Sequence, residues 1–407
     1  MNVLMLSPGF PVEMSYFTQA LAKIGARVIG VGEQPVAAFS EDTRKALSAY
    51  VQVKSLVDEK GVIDEIRREV LGRGLTLDRI ECLWEPFIIL AAQLREAFGV
   101  PGMDVATALP FRDKEAMKQK LDAAGIRTPR HAKCSNEKES RAAAERIGYP
   151  LIIKPIAGAG SADTHRCDDP KQFEAALAAT RHVPVVSVEE FIDGEEFTFD
   201  TITVDNVPRF YNVCWYRPRP LIQRQHEWIS PQTIALRDPD APRLRSGVKM
   251  GFDVIRALEY PYGFTHMEWF LKQDGEAVFG EIGGRVPGAR TSDLMNFATD
   301  SDVYIGWAQA VCFGRVDQPF PRKFNAASIF KRAQGQGHIQ RITGVEGFLA
   351  RYGQYVAVME LLPVGAPRRN WKQTLISDGI VIVRHQDLGS CCEIADHVGT
   401  DIQLYAG

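Results

Sequence analysis

Short apolar runs and amphipathic stretches alternate through the first hundred residues, and this alternation limits the fold more than any other feature of the chain. An apolar run at 3–6 stops at the breaker Ser7-Pro8-Gly9, and residues 13–24 carry apolar side chains at helical spacing up to Gly25. A second apolar run follows at 27–31, then helical spacing at 62–70, a strand-like run at 82–84 and helical spacing again at 88–98. Alternation of this kind predicts a parallel sheet, because parallel neighbours need a crossover and the crossover helix covers the sheet. Open sheets of this class bind ligands beyond the carboxyl ends of their strands. Ser7, Pro8 and Glu85 are therefore candidates for substrate contact.

Beyond residue 110 the punctuation is denser. Asp113 is placed to cap a helix running to about residue 124, with Gly125 as its stop. Asn136 and Glu139 form a capping-box pattern before a helix that Gly148 ends, and Asp169-Pro170 opens another. Strand-like runs lie at 151–154 and 185–190. Residues 197–216 read as strands with a turn at Asp205-Asn206, and 264–271 with 277–282 as a hairpin about Asp274-Gly275. The stretch 217–243, rich in proline and arginine, reads as a long loop of the kind that is often functional. The expected architecture is α/β and α+β multidomain. It comprises an N-terminal parallel α/β domain (1–112), a middle pair (113–187 and 188–320) and a small, mostly-β C-terminal domain (321–407).

Composition removes several classes of function. A chain of 407 residues buries enough surface to fold without disulfide or metal staples. Lys+Arg number 48 against 51 Asp+Glu, so the charge of −3 lacks the footprint of a nucleic-acid binder. No apolar run reaches the roughly 18 residues that span a bilayer, and the N-terminus has no basic segment of the signal-peptide type. Seven scattered cysteines without a C-x-x-C pair read as a reduced, cytoplasmic protein. There is no P-loop, no G-x-G-x-x-G after the first strand, no G-x-S-x-G and no H-E-x-x-H.

What remains is an ordered set of lysines, glycines and glutamates. Lys154 ends a buried strand just before the glycine-rich loop Ala157–Ser161, placing a fixed positive charge and close-approaching amides where nucleotide phosphates can lie. In Glu189-Glu190-Phe191-Ile192-Asp193-Gly194-Glu195-Glu196, backbone groups at 190–192 can pair with an adenine edge, and Glu196 can accept from ribose hydroxyls. Alone, each segment is equally a plain turn or a solvated acidic hairpin. Glu268 and Glu281 lie thirteen residues apart on facing strands of the hairpin, among apolar residues. Two such carboxylates repel one another unless a hard cation lies between them, and Mg²⁺ commonly shares such ligands with substrate phosphates. Arg285 and Arg290 follow at once, with planar forks suited to a carboxylate or acyl phosphate, although they can equally pair with the two glutamates. By strand alternation His266 shares a face with Glu268. The 215–228 segment, with Arg217, Arg219, Arg224 and His226, is a candidate acceptor region, and His226 a candidate general base.

Taken together, these segments resemble the ATP-grasp superfamily. The resemblance rests on Phe-Arg-Asp-Lys-Glu-Ala-Met-Lys (111–118), Tyr-Pro-Leu-Ile-Ile-Lys-Pro (149–155), Ala-Gly-Ala-Gly-Ser (157–161), Val-Glu-Glu-Phe-Ile-Asp-Gly-Glu-Glu-Phe (188–197) and Glu-Ile-Gly-Gly-Arg (281–285). Each is loose alone, but their order and spacing are specific across about 110–315. The tail, with Gly-His-Ile-Gln-Arg-Ile-Thr-Gly (337–344), is similar to carboxylate–amine ligases of the L-amino-acid ligase type. The resemblance implies an ATP- and Mg²⁺- (or Mn²⁺-) dependent ligase that joins a carboxylate to an amine, both small molecules, with amino acids expected. A homodimer is the base-rate expectation. The resemblance further implies that Lys114 and Lys154 hold phosphates, with Gly158, Gly160 and Ser161 as a phosphate lid. Glu189, Glu190 and Ile192 would frame adenine, Glu196 the ribose, Glu268 and Glu281 the metal, and Arg285 would steady the acyl phosphate. Carboxylases, purine-pathway ligases and nucleotide binders without turnover are the alternatives. One position departs from the family pattern: Gly283 stands where an asparagine usually serves as a third metal ligand.

Overall fold

The computed structural model describes residues 1–156, 163–374 and 376–407. The first sheet has four parallel strands, Asn2–Leu6, Arg27–Gly32, Leu47–Gln52 and Arg79–Glu81, in the spatial order third, second, first, fourth. Val3, Leu4, Met5 and Leu6 are wholly buried, as expected for a strand covered on both faces. The helices Met14–Lys23, Glu59–Glu69 and Ile88–Phe98 supply the cover. The chain leaves the first strand to one side and returns for the fourth on the other. The topological switch point therefore lies past the ends of those two strands, beside Ser7 and Glu85. One expectation needs correction. The fourth strand is Arg79–Glu81, not 82–84, because Leu4 pairs with Ile80; Trp84 and Glu85 consequently stand in the loop beyond the sheet.

A second, antiparallel sheet has the order His131–Cys134, Val186–Glu190, Leu151–Pro155, His165–Cys167. The helices Glu137–Ile147 and Pro170–Ala179 begin at the expected caps, Asn136 and Asp169. The helix Lys114–Ala123 precedes this sheet, with the Asp113 carboxylate accepting from the amides of Glu115 and Ala116.

The largest sheet has nine strands. Its edge is the expected hairpin, Tyr262–Leu271 with Ala277–Gly283, followed by Glu195–Val204, Cys214–Arg217, Gln232–Ala235, Asn325–Lys331, Gly379–His385 and Val356–Leu361. Val207–Asn212 pairs with Glu195–Val204 through the turn at Asp205 and Asn206, both at positive φ. The stretch 217–243 is therefore not one long loop. It holds the short helix Pro220–Gln223 and the buried strand Gln232–Ala235, which bridges Cys214–Arg217 to Asn325–Lys331. The same pairing carries the sheet across the expected boundary at 320. The tail adds three strands to it, besides a small mixed sheet of Gln334–Gly335, Gln403–Ala406 and Ile339–Thr343. Seven free cysteines are present, six of them buried. Among the described residues, no helix is long and apolar enough to cross a membrane.

Candidate active site

Glu268 and Glu281 are direct cross-strand partners, so their side chains share a face. A bulge makes this possible. Trp269 pairs with Phe279, which leaves Gly280 as the extra residue. Phe279 then joins Trp269 in the core, both wholly buried, while Glu281 turns to the cleft beside Glu268. A Cβ at position 280 would lie 2.7 Å from the Glu268 carbonyl oxygen, so the bulge requires glycine.

Two cavities meet at this pair, and both glutamates line both of them. The smaller, about 110 Å³, lies between the antiparallel sheet and the hairpin. Lys114, Lys154, Glu189 and Glu196 form its polar side, and Ile152, Phe191, Ile192 and Phe270 its apolar side. The larger, about 450 Å³, lies between the hairpin and the switch point of the first sheet. Pro11, Glu13, Trp84 and Glu85 reach it from that sheet, and Tyr216, Arg224, His266 and Arg285 from the rest of the chain.

The smaller cavity is dense in charge. The Glu189 carboxylate takes Lys154 Nζ at 2.9 Å, Lys118 Nζ and the Ser187 hydroxyl at 2.7 Å. Burial alone would raise its pKa, but the two ammonium groups hold it well below the carboxylate range. Burial lowers Lys118 to about 8 against the pull of Glu189. Lys118 was not singled out from the sequence. The available signal was its position four residues after Lys114, on the same face of one helix. Lys114 Nζ lies 3.3 Å from Glu281 Oε2. Burial opposes the charge of Glu281, but Lys114, Lys154 and Arg285 outweigh it and keep its pKa low.

The positions expected to frame adenine are partly engaged within the fold. The Glu190 carboxylate takes Arg127 at 3.0 Å and Arg130 at 3.4 Å. The amides of Glu190 and Phe191 donate to the carbonyls of Arg130 and Pro150. The Ile192 carbonyl accepts from Arg219, whose Nε lies 3.3 Å from Glu196. Burial, reinforced by Glu268, pushes the Glu196 carboxyl up to about 8 despite Arg219. Gly158, Gly160 and Ser161 lie outside the described residues.

At the larger cavity, His266 Nδ1 is 2.6 Å from Asp200 Oδ1, and its Nε2 is 3.6 Å from Glu268 Oε1. Burial opposes its protonation, but Asp200 and Glu268 prevail and raise the pKa to about 9. The Tyr216 hydroxyl, also missed by the sequence reading, donates to Glu268 at 3.2 Å. Arg285 Nε meets Glu85 at 2.6 Å, and Arg112 meets the other Glu85 oxygen at 2.7 Å. A Cβ at Gly283 would lie 3.0 Å from Arg285 Cγ. Glycine there leaves room for the stem of this arginine.

Two expected residues lie elsewhere. Arg290 lines neither cavity; its guanidinium is bound to Asp293 and Glu360, each at 2.7 Å. His226 is exposed and also lines neither, because its segment is fastened by a bond from Arg332 to the His226 carbonyl at 2.8 Å. Among the described residues, no group of three His, Cys, Asp or Glu side chains is arranged to hold a metal ion. Two carboxylates are nonetheless a fitting donor set for Mg²⁺ that arrives with nucleotide phosphates.

The chain is similar to known proteins both in sequence and in fold. Residues 113–196 match the family model for the carbamoyl-phosphate synthase L chain, ATP binding domain. The L-arginine-specific L-amino acid ligase of Bacillus subtilis is 26% identical over 253 residues, 60% of this chain and 60% of that protein. The D-alanine–D-alanine ligase of Stutzerimonas stutzeri is 34% identical over 118 residues, 28% of this chain and 38% of that protein. The chain thus spans less than two-thirds of the length of these curated relatives. Its fold matches the crystal structure of L-amino acid ligase from Bacillus licheniformis with a TM-score of 0.79 and 20% identity, covering 100% of this chain and 98% of that one. Phosphoribosylglycinamide synthetase from Anaerococcus prevotii follows, with a TM-score of 0.71 and 16% identity over 100% and 99% of the two chains. Residues 113–196 are thus similar to an ATP-binding domain, and the whole chain shares the fold of these solved structures.

Proposed function

We propose that the chain is an ATP-dependent carboxylate–amine ligase that forms an amide bond through an acyl phosphate and releases ADP and phosphate. One observation carries this reading: Glu268 and Glu281 line both the small charged cavity and the larger one. A nucleotide in the first would present its terminal phosphate to a substrate in the second. Lys114 and Lys154 hold the phosphates, with Lys118 buried behind them on Glu189, while Phe191, Ile192 and Phe270 flank the base. Glu268 and Glu281 hold Mg²⁺ (or Mn²⁺), which when bound supplies charge neutralisation at the phosphates.

A carboxylate oxygen of the first substrate attacks the γ-phosphorus, and the bond to the ADP oxygen breaks. Arg285 and His266 hold that carboxylate, and the arginine stabilises the charge that develops. The amine of the second substrate then attacks the carbonyl carbon. Phosphate leaves with the former carboxylate oxygen, and the amine proton passes to solvent. No side-chain nucleophile is needed. Amino acids are the favoured substrates, supported by the ligases to which the chain is similar.

ADP release from Mg-ATP, measured against amino acids singly and in pairs, tests the reading; release should require a particular pair. Glu281→Ala should abolish ADP formation while the circular dichroism spectrum stays unchanged. Retained turnover would contradict the metal assignment.

A further inference from the structure

The larger cavity is lined by two arginines and a histidine, and two of the three have carboxylate partners. Arg285 meets Glu85, and His266 meets Asp200. The third, Arg224, is half-buried, and among the described residues its guanidinium makes no hydrogen bond or ion pair. Burial lowers its pKa with no acid opposing the shift, and its charged neighbour Arg332 repels it. A desolvated, unmatched guanidinium is costly unless a ligand supplies the anion.

Its position is built rather than accidental. Arg332 donates to the carbonyls of Gln223 at 2.9 Å and His226 at 2.8 Å, bracketing residue 224, and stacks on Trp371 at 4.4 Å. The same cavity is lined by Glu13, a part-buried carboxylate that also has no side-chain partner among the described residues. One unmatched charge of each sign is the complement of a zwitterion.

We propose that Arg224 binds the free carboxylate of the amine substrate, so that this substrate is an amino acid or another amine bearing a carboxylate rather than a simple amine. The reacting carboxylate must lie beside Glu268 and Glu281, where Arg285 and His266 already serve it. A further cation in the cavity calls for a second carboxylate, and a planar fork suits one bidentately. This inference rests on the ligase reading.

The test presents the amine substrate as the free L-amino acid and as its carboxamide, with Mg-ATP and the carboxylate substrate fixed. Wild type should prefer the free acid by roughly tenfold or more in kcat/KM, the loss expected for one charge-assisted pair. Arg224→Gln should reduce the free acid to the level of the amide by raising its KM, with the KM values for ATP and the carboxylate substrate unmoved. Arg224→Lys should recover part of the preference. Equal use of acid and amide by wild type, or a preference surviving in Arg224→Gln, overturns the assignment. Absence of ADP release from wild type with every pair instead contradicts the ligase reading. In that case calorimetric titration of the twenty L-amino acids and their carboxamides into wild type and Arg224→Gln still decides. Tighter binding of the acids that Arg224→Gln removes supports the assignment; anything else overturns it.

Discussion

Glu189 is the residue on which the charged cavity balances. It is 3% exposed and stands between two lysines from different elements. Glu189→Gln would leave Lys118 and Lys154 buried without their counter-charge, and should cost about 3–5 kcal/mol of stability, measurable by urea denaturation. The pH dependence has a definite sign. The native pKa of Glu189 lies below its ordinary 4.5, so its contribution is complete above that value and is lost as pH falls towards the native one. The stability gap between wild type and Glu189→Gln should therefore narrow on acidification below about pH 4.5; a constant gap would contradict this balance. The residue types of the site were legible because buried lysines and paired glutamates are rare in apolar strands. Their partners were not. Whether Glu189 faces adenine or Lys118, or Arg290 faces a substrate or Glu360, depends on contacts 70 residues or more apart.

Among the elements, the hairpin was readable and the strand Gln232–Ala235 was not. The hairpin register is set locally by Asp274-Gly275, with the Glu276 amide donating to Asp274 at 3.0 Å. Gln232–Ala235 has four residues behind Pro231 and no turn to the strand that follows it in the sheet, which begins at Asn325. Its strand character comes from partners distant in sequence. The helix Arg245–Ala257 was likewise not singled out, and it packs on the hairpin through a glycine. A Cβ at Gly247 would lie 2.1 Å from the Trp269 indole. Gly247→Ala should therefore overpack this contact and cost about 1–3 kcal/mol. An unchanged melting temperature would show that the helix can shift without penalty.

In the whole molecule, the larger cavity exists because the switch point of the first sheet meets the hairpin edge of the central one. Glu85 fastens that junction, holding Arg112 and Arg285 at once. Glu85→Gln removes its charge and should raise the KM for the carboxylate substrate by roughly tenfold, the scale of one charged hydrogen bond, while nucleotide affinity measured by calorimetry stays unchanged. Equal loss of both would mean that the junction supports the entire site. Parallel order in the first sheet could be read from the chain, but its meeting with the hairpin could not, because no local pattern encodes how two sheets dock. In the proposed reaction the γ-phosphate is transferred to a carboxylate. With the carboxylate substrate doubly labelled in ¹⁸O, mass spectrometry of the released phosphate should find one labelled oxygen per amide formed, with the second retained in the amide. Amide formation with unlabelled phosphate, or with the label in AMP, would contradict the acyl-phosphate account.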